Sequence, residues 1–356
     1  MSRLSKSVLL ALSIVMVLGA LSACAPSATP TPVTVVKEAT KIVEKVVVIT
    51  ATPPPVVDLT PVYDFDPKPT AAKRYNIAVV LKNFTNPFWL THQRWALKAG
   101  EDFGVDVTVL APSNPDNVEE QIRIVEDLIQ KGVDGVIIAP ANTTAIATAI
   151  QKLNAAKIPV IYDNTRGSGG DYVCYIGADN ILVGKTVAEG AVKVIGEKGK
   201  ILILEGFPGQ QTADDRRKGM NDYLTKFTGI EVASQTAHWR RLEGMQVTEN
   251  TLQRWPDLNA IIAASGEMAL GAIEALKSAG IPNDKIVVGG VDVYPDIVKA
   301  IKAGDFDFTI SQAPQKQAYW SVAAMIMHLN GEKVPKEIRT PTAIVTVENV
   351  DQYVEE

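Results

Sequence analysis

The chain has 356 residues, 46% hydrophobic and 21% charged, a balance that offsets the entropy of ordering and excludes disorder over most of its length. A net charge of −5 with no dense Lys/Arg block excludes a nucleic-acid binder held by phosphate neutralisation. Two cysteines, Cys24 and Cys174, exclude a disulfide framework and a cysteine-rich metal site.

Residues 1–23 read as an export signal. Arg3 and Lys6 precede an apolar run from Val8 to Leu21, shorter than the roughly 20 residues that a permanent spanning helix needs. The run ends in Leu21-Ser22-Ala23-Cys24, which resembles the lipobox of bacterial lipoproteins. That resemblance implies cleavage before Cys24, lipidation of its thiol and acylation of its new amino terminus. Two or three acyl chains anchor stably where one does not. An ordinary signal peptide that happens to end in cysteine is the alternative.

Residues 24–73 read as a tether. Ala25-Pro-Ser-Ala-Thr-Pro-Thr-Pro and Thr52-Pro-Pro-Pro build neither helix nor ladder, because proline lacks a donor and fixes φ. Between them Val35, Ala39, Ile42 and Val46 recur at helical spacing, so a short amphipathic helix or stalk competes with a plain charged spacer.

From residue 74 onward, short β-branched runs alternate with amphipathic stretches. Strands are expected over 75–81, 105–110, 135–139, 159–162 and 172–176, then 200–204, 232–236, 260–264, 287–291 and 308–311. Val118, Ile122, Val125, Leu128 and Ile129 form one helical face. Such alternation with continuous apolar strands predicts parallel sheets covered on both faces, in two α/β lobes. The segments starting at Val136 and Ala260 echo each other as strand, polar turn, alanine-rich helix and Ile-Pro, which agrees with two similar halves.

In such sheets ligands bind at the carboxyl ends of strands. Asn86, Phe88 and Trp89 follow the first strand, and two aromatics next to one another on a helix diverge, so at least one projects into a cleft. Asp163 and Asn164 end the fourth strand, with Arg166 just beyond. Thr212 or Asp214 caps a helix that carries Arg216, and His238-Trp239, Ser265, Asp292 and Gln312 end later strands. Rings combined with Asp, Asn, Gln, Ser and Arg are what a sugar requires: C–H faces stack, and dehydrated hydroxyls need paired donors and acceptors. Gly-x-Gly-x-x-Gly, Walker A and Gly-x-Ser-x-Gly motifs are missing, and the three histidines lack metal-ligand spacing. No catalytic residue, metal or cofactor is expected, and Cys174 reads as a buried free thiol.

Several of these segments together resemble the type I periplasmic sugar-binding proteins of the ribose-binding branch. They are Asn86-Pro-Phe-Trp89, Val160-Ile-Tyr-Asp163, Ala213-Asp-Asp-Arg216-Arg-Lys-Gly219, Glu267-Met-Ala-Leu-Gly-Ala272, Val287–Asp292 and Thr309-Ile-Ser-Gln312. The resemblance covers essentially all of 74–356. It implies two doubly wound parallel-sheet lobes, 74–178 with 313–341 and 179–312 with 342–356, joined by a three-segment hinge. It also implies that Phe88 and Trp89 stack on a sugar from one lobe and Trp239 from the other. Asn86, Asp163, Arg216, Asp292 and Gln312 would bond its hydroxyls.

Asn164 stands where that branch usually has Arg, and Ser265-Gly266 where it has Asn-Asp, which points to a pyranose-size ring in preference to ribose. The expectation is an extracytoplasmic, lipid-anchored, monomeric solute-binding subunit that serves the permease and ATPase subunits of an ABC importer. Presentation of ligand to a chemoreceptor or sensor kinase remains an alternative, as does a non-sugar solute such as a nucleoside or autoinducer.

Overall fold

The computed structural model describes residues 61–353. The expected signal, Cys24 and the 33–50 segment lie outside the described residues. Strand and helix alternate as β1 (Asn76–Val80), α1 (Pro87–Phe103), β2 (Asp106–Leu110), α2 (Val118–Lys131), β3 (Gly135–Ile138), α3 (Ala147–Ala155), β4 (Val160–Asp163) and β5 (Tyr175–Gly177). The chain then crosses to α4 (Asn180–Ile195), β6 (Lys198–Glu205), α5 (Gln211–Leu224), β7 (Gly229–Thr236), α6 (Arg241–Arg254), β8 (Ala260–Ala263), α7 (Gly266–Ser278), β9 (Val287–Val291), α8 (Pro295–Lys302) and β10 (Phe308–Ser311). It returns through α9 (Pro314–Leu329) and β11 (Glu337–Arg339), and crosses once more to β12 (Ala343–Val345).

Two six-stranded sheets result, ordered β11-β5-β4-β3-β1-β2 and β12-β10-β9-β8-β6-β7. All pairings are parallel except β10 with β12, an antiparallel edge that the apolar pattern did not reveal. The echoing segments at 136 and 260 become β3 and β8, which hold the same place in the two sheet orders. Central strands are apolar throughout because helices cover both faces: Val136, Ile137 and Ile138 are wholly buried, as are Ile261 and Ile262.

Polar residues hold strand ends where apolar packing cannot. Gln121, buried on the expected α2 face, donates from Nε2 to Ala139 O (2.9 Å) and Leu81 O (3.3 Å) and accepts from Ala141 N (2.9 Å). It ties the carboxyl ends of β1 and β3 together at the switch point of the sheet.

Two boundaries differ from expectation. The tether was expected to run to residue 73, but Val62 bridges Ile338, exchanging backbone bonds with Glu337 and Arg339. Phe65 is buried against Trp320, edge to face at 5.8 Å. An unsatisfied sheet edge and an apolar ring explain why residues before 74 join the first lobe. Helix α5 has Gln210 as its N-cap with no side-chain bond, so neither Thr212 nor Asp214 caps it.

Three crossovers join the lobes, near residues 178, 312 and 341, and they are bonded to one another. Thr340 donates its N–H to Gly177 O (3.1 Å) and its hydroxyl to Gln312 O (3.1 Å). Arg339 Nη1 donates to Ala178 O (2.8 Å).

Candidate functional site

All the residues expected to meet a ligand, except Asp163, border one cavity between the lobes. Asn86 starts the first wall as the N-cap of α1, accepting from Phe88 N (3.0 Å). Phe88 and Trp89 follow with centroids 4.9 Å apart, edge to face. Both belong to the first lobe's apolar cluster while also facing the cavity, 7% and 5% exposed. At least one ring was expected to project into a cleft; both line the cavity and both stay in the core, because at the tip of α1 a ring can touch both.

Asn164 takes a left-handed conformation (φ 58) just past β4 and faces the cavity. It donates to Gln317 Oε1 (3.0 Å) and Gln312 Oε1 (3.4 Å). Asp163 lies behind this wall, completely buried, with Oδ2 3.4 Å from His92 Nε2. Side chains alternate along a strand, so the last residue of β4 faces α1 while its left-handed neighbour turns toward the cleft.

The second wall is largely polar. Arg216 is buried and donates Nε to Asn180 Oδ1 (2.9 Å), Nη1 to Ala264 O (2.7 Å) and Nη2 to Gln312 Oε1 (2.8 Å). Gly219, three residues on, lets α5 approach α4, because an added Cβ would lie 2.1 Å from Ile181 O. That contact explains the Arg-x-x-Gly spacing. Gln312 Nε2 donates to Asp292 Oδ1 (2.6 Å), and Gly266 N donates to Oδ2 (3.2 Å). Burial raises the pKa of Asp292 against the opposing pull of the Arg216 charge. Burial likewise lowers that of Arg216. Ser265 Oγ is buried at the start of α7 with no hydrogen-bond partner among the described residues.

Trp239 closes this wall. It and His238 are consecutive left-handed residues (φ 62 and 48), a conformation that stores strain and recurs at binding sites. Its indole lies on Gly206, where an added Cβ would come within 2.0 Å of the ring. The Arg216 guanidinium lies 6.0 Å from the indole centroid.

Three further residues border the cavity: Lys82, Asn83 and Thr212. Lys82 is 2% exposed and donates to Thr165 Oγ1 (2.8 Å) and Gln210 Oε1 (2.7 Å). Burial, aided by the Arg216 charge, lowers its pKa to about 7 against the pull of Asp116 and Asp163. The polar end of an otherwise apolar strand was its only signal in the sequence. Asn83 Oδ1 accepts from Asn86 N (3.0 Å) and shapes the turn into α1.

The cavity measures about 40 Å³, room for only a few waters at roughly 10–15 Å³ each.

A profile for the periplasmic binding protein domain matches residues 77–333. The chain belongs to the periplasmic binding protein family. It is 34% identical to the ribose import binding protein of Salmonella typhimurium, covering 74% of this chain and 88% of that one. It is 31% identical to the D-allose-binding periplasmic protein of Escherichia coli, over 68% and 80%. An ABC transporter solute-binding protein of Actinobacillus succinogenes with bound D-allose superimposes with a TM-score of 0.75 at 29% identity, covering 79% of this chain and all of that one. One from Bacillus halodurans with bound myo-inositol gives 0.73 at 30%, covering 79% and 97%. These relatives are binding proteins, and within the family the chain is of the type I, sugar-binding kind. Membership places it outside the cytoplasm, and among the described residues no helix is long and apolar enough to cross a membrane.

Proposed function

We propose that this protein is a lipid-anchored solute receptor that binds one pyranose-size monosaccharide between its lobes and delivers it, closed, to an ABC permease. The observation that carries the reading is convergence on one cavity. Rings from both lobes (Phe88, Trp89, Trp239), the half-buried Asn86 and buried hydrogen-bonding groups from both lobes (Asn164, Arg216, Ser265, Asp292, Gln312) face the same space. Phe88, Trp89 and Trp239 offer faces to C–H groups, and the polar set offers donors and acceptors to hydroxyls. The unpartnered Ser265 hydroxyl is a buried group that a ligand hydroxyl satisfies. Lys82 adds a donor beside Trp89, 5.6 Å from its ring. The D-allose and myo-inositol held by structural relatives support a six-membered ring.

Isothermal titration with ribose, allose, xylose, glucose, galactose and myo-inositol tests the reading. Ribose binding tighter than every six-membered ring would remove the size assignment, and no binding by any of them would remove the sugar. For the anchor, wild type should partition into the detergent phase when expressed in a bacterial host and Cys24→Ser should not. Equal partitioning of the two would remove the lipid.

A further inference from the structure

The loop between β6 and α5 belongs to the second lobe yet bonds repeatedly to the first. Thr143 N donates to Gly209 O (2.9 Å), Gln211 N to Thr143 Oγ1 (2.8 Å) and Arg166 N to Gln211 Oε1 (3.0 Å). The hydroxyls of Thr165 and Thr212 pair at 2.5 Å. At the centre is Gln210, 0% exposed and absent from the cavity lining. Its Oε1 accepts from Lys82 Nζ of the first lobe (2.7 Å) and from Trp239 Nε1 of the second (2.9 Å). Its Nε2 donates to Asp116 Oδ1 of the first lobe (3.1 Å). One buried amide thus ties a first-lobe and a second-lobe side chain that both border the cavity, and all three bonds depend on the lobes being together or on Trp239 holding its pose.

We propose that Gln210 is a positioning residue that couples the pose of Trp239 to lobe closure, and so governs how slowly a bound solute leaves. When the lobes separate, the amide loses Lys82 and Asp116 to water, and the indole N–H keeps an acceptor that the first lobe no longer fixes. Trp239, held on two left-handed residues, is then released from its place over Gly206. When the lobes meet, the same amide returns the ring to the cavity. The inference rests on the solute-binding reading for its kinetic part and on the interlobe bonds alone for its conformational part.

Gln210→Met keeps the side-chain length and removes all three bonds, whereas Gln210→Glu keeps the acceptor for Lys82 and Trp239. Trp239→Phe keeps a ring and removes its N–H. For D-allose and myo-inositol, Gln210→Met should raise the dissociation rate about tenfold while the association rate changes about threefold or less. Gln210→Glu should recover part of that change. Combined with Trp239→Phe, Gln210→Met should add less than the sum of the two single effects, since both remove one contact. In the ligand-free full chain, a label pair at Lys131 and Lys226, exposed on opposite lobes, should report a longer interlobe distance for Gln210→Met than for wild type.

Unchanged dissociation with only a lowered melting temperature would overturn the proposal, as would additive effects in the double variant. If neither D-allose nor myo-inositol binds wild type, the rates are read with whichever of the six titrated ligands does; if none binds, the sugar reading fails, and the label distance still decides the coupling: an unchanged distance sinks it.

Discussion

The two walls of the cleft solve the same problem differently. On the first, Phe88 and Trp89 are rooted in the lobe's apolar cluster, so the surface offered to a ligand is the outer side of a packed core. On the second, Trp239 rests on a glycine at a strained turn, while Arg216, Asp292 and Gln312 bond mainly to each other and to strand-end backbone. A core-rooted ring is rigid because moving it opens a void. A polar network is rigid because every member already has a partner, and there removing one group strands the rest. On the proposed reading, the first wall is a fixed platform and the second a recognition surface sensitive to single atoms.

The contrast breaks if stability and affinity do not separate as it requires. Arg216→Met should have the largest effect, leaving Asp292 buried without the guanidinium charge and Gln312 without its strongest donor. A loss of about 3–5 kcal/mol in denaturant unfolding is expected, together with affinity reduced about a hundredfold or more, or roughly 2.7 kcal/mol. A stability change under about 1 kcal/mol would mean that the network is solvated and worth little. Phe88→Ala should cost about 3–5 kcal/mol of stability as a core truncation. Trp239→Ala should instead weaken binding by about tenfold, or 1.4 kcal/mol, with the ligand-free melting temperature nearly unchanged. If the two aromatic variants exchange these signatures, the assignment of platform and reader is reversed. Gly206→Ala should follow Trp239→Ala in direction, because its new methyl occupies the place of the indole.

The smallest effect is a pH dependence from Lys82. Its folded pKa, about 7, lies below the ordinary lysine value of 10.5. Between those values the unfolded chain binds more protons, so this group's contribution to stability rises with pH and is lost as pH falls through about 7. Binding runs the other way. If the ammonium donates to the ligand, affinity weakens several-fold from about pH 6 to about pH 8.5, and Lys82→Met flattens the profile. A flat wild-type profile would remove Lys82 from the ligand's donors.

Much of this is legible in the sequence. Continuous apolar strands announced parallel sheets, and the echo between 136 and 260 marked strands that prove topologically equivalent. Residues just past strand ends gathered at one cavity because the sheet geometry sends them there. What escaped notice depends on burial created by the other lobe or by a distant segment. Lys82 and Gln210 read as ordinary polar loop residues until the lobes close over them. Asp163 fits a strand-end ligand motif, yet His92, seventy-one positions earlier, stands opposite its carboxylate. Val62 lies in a stretch whose prolines suggest a tether, and it joins the sheet only because β11 leaves an edge beside it.

The bonds among the crossovers have a mechanical consequence. Thr340 reaches both other connections within one side chain's span, so the three strands of the hinge cannot slide past one another without breaking those bonds. They bend together, about one line, like pages sewn at a spine. The bonds oppose twist and shear and favour a single opening angle. Under the proposed solute reading, a ligand would enter and leave at the edge opposite the stitching.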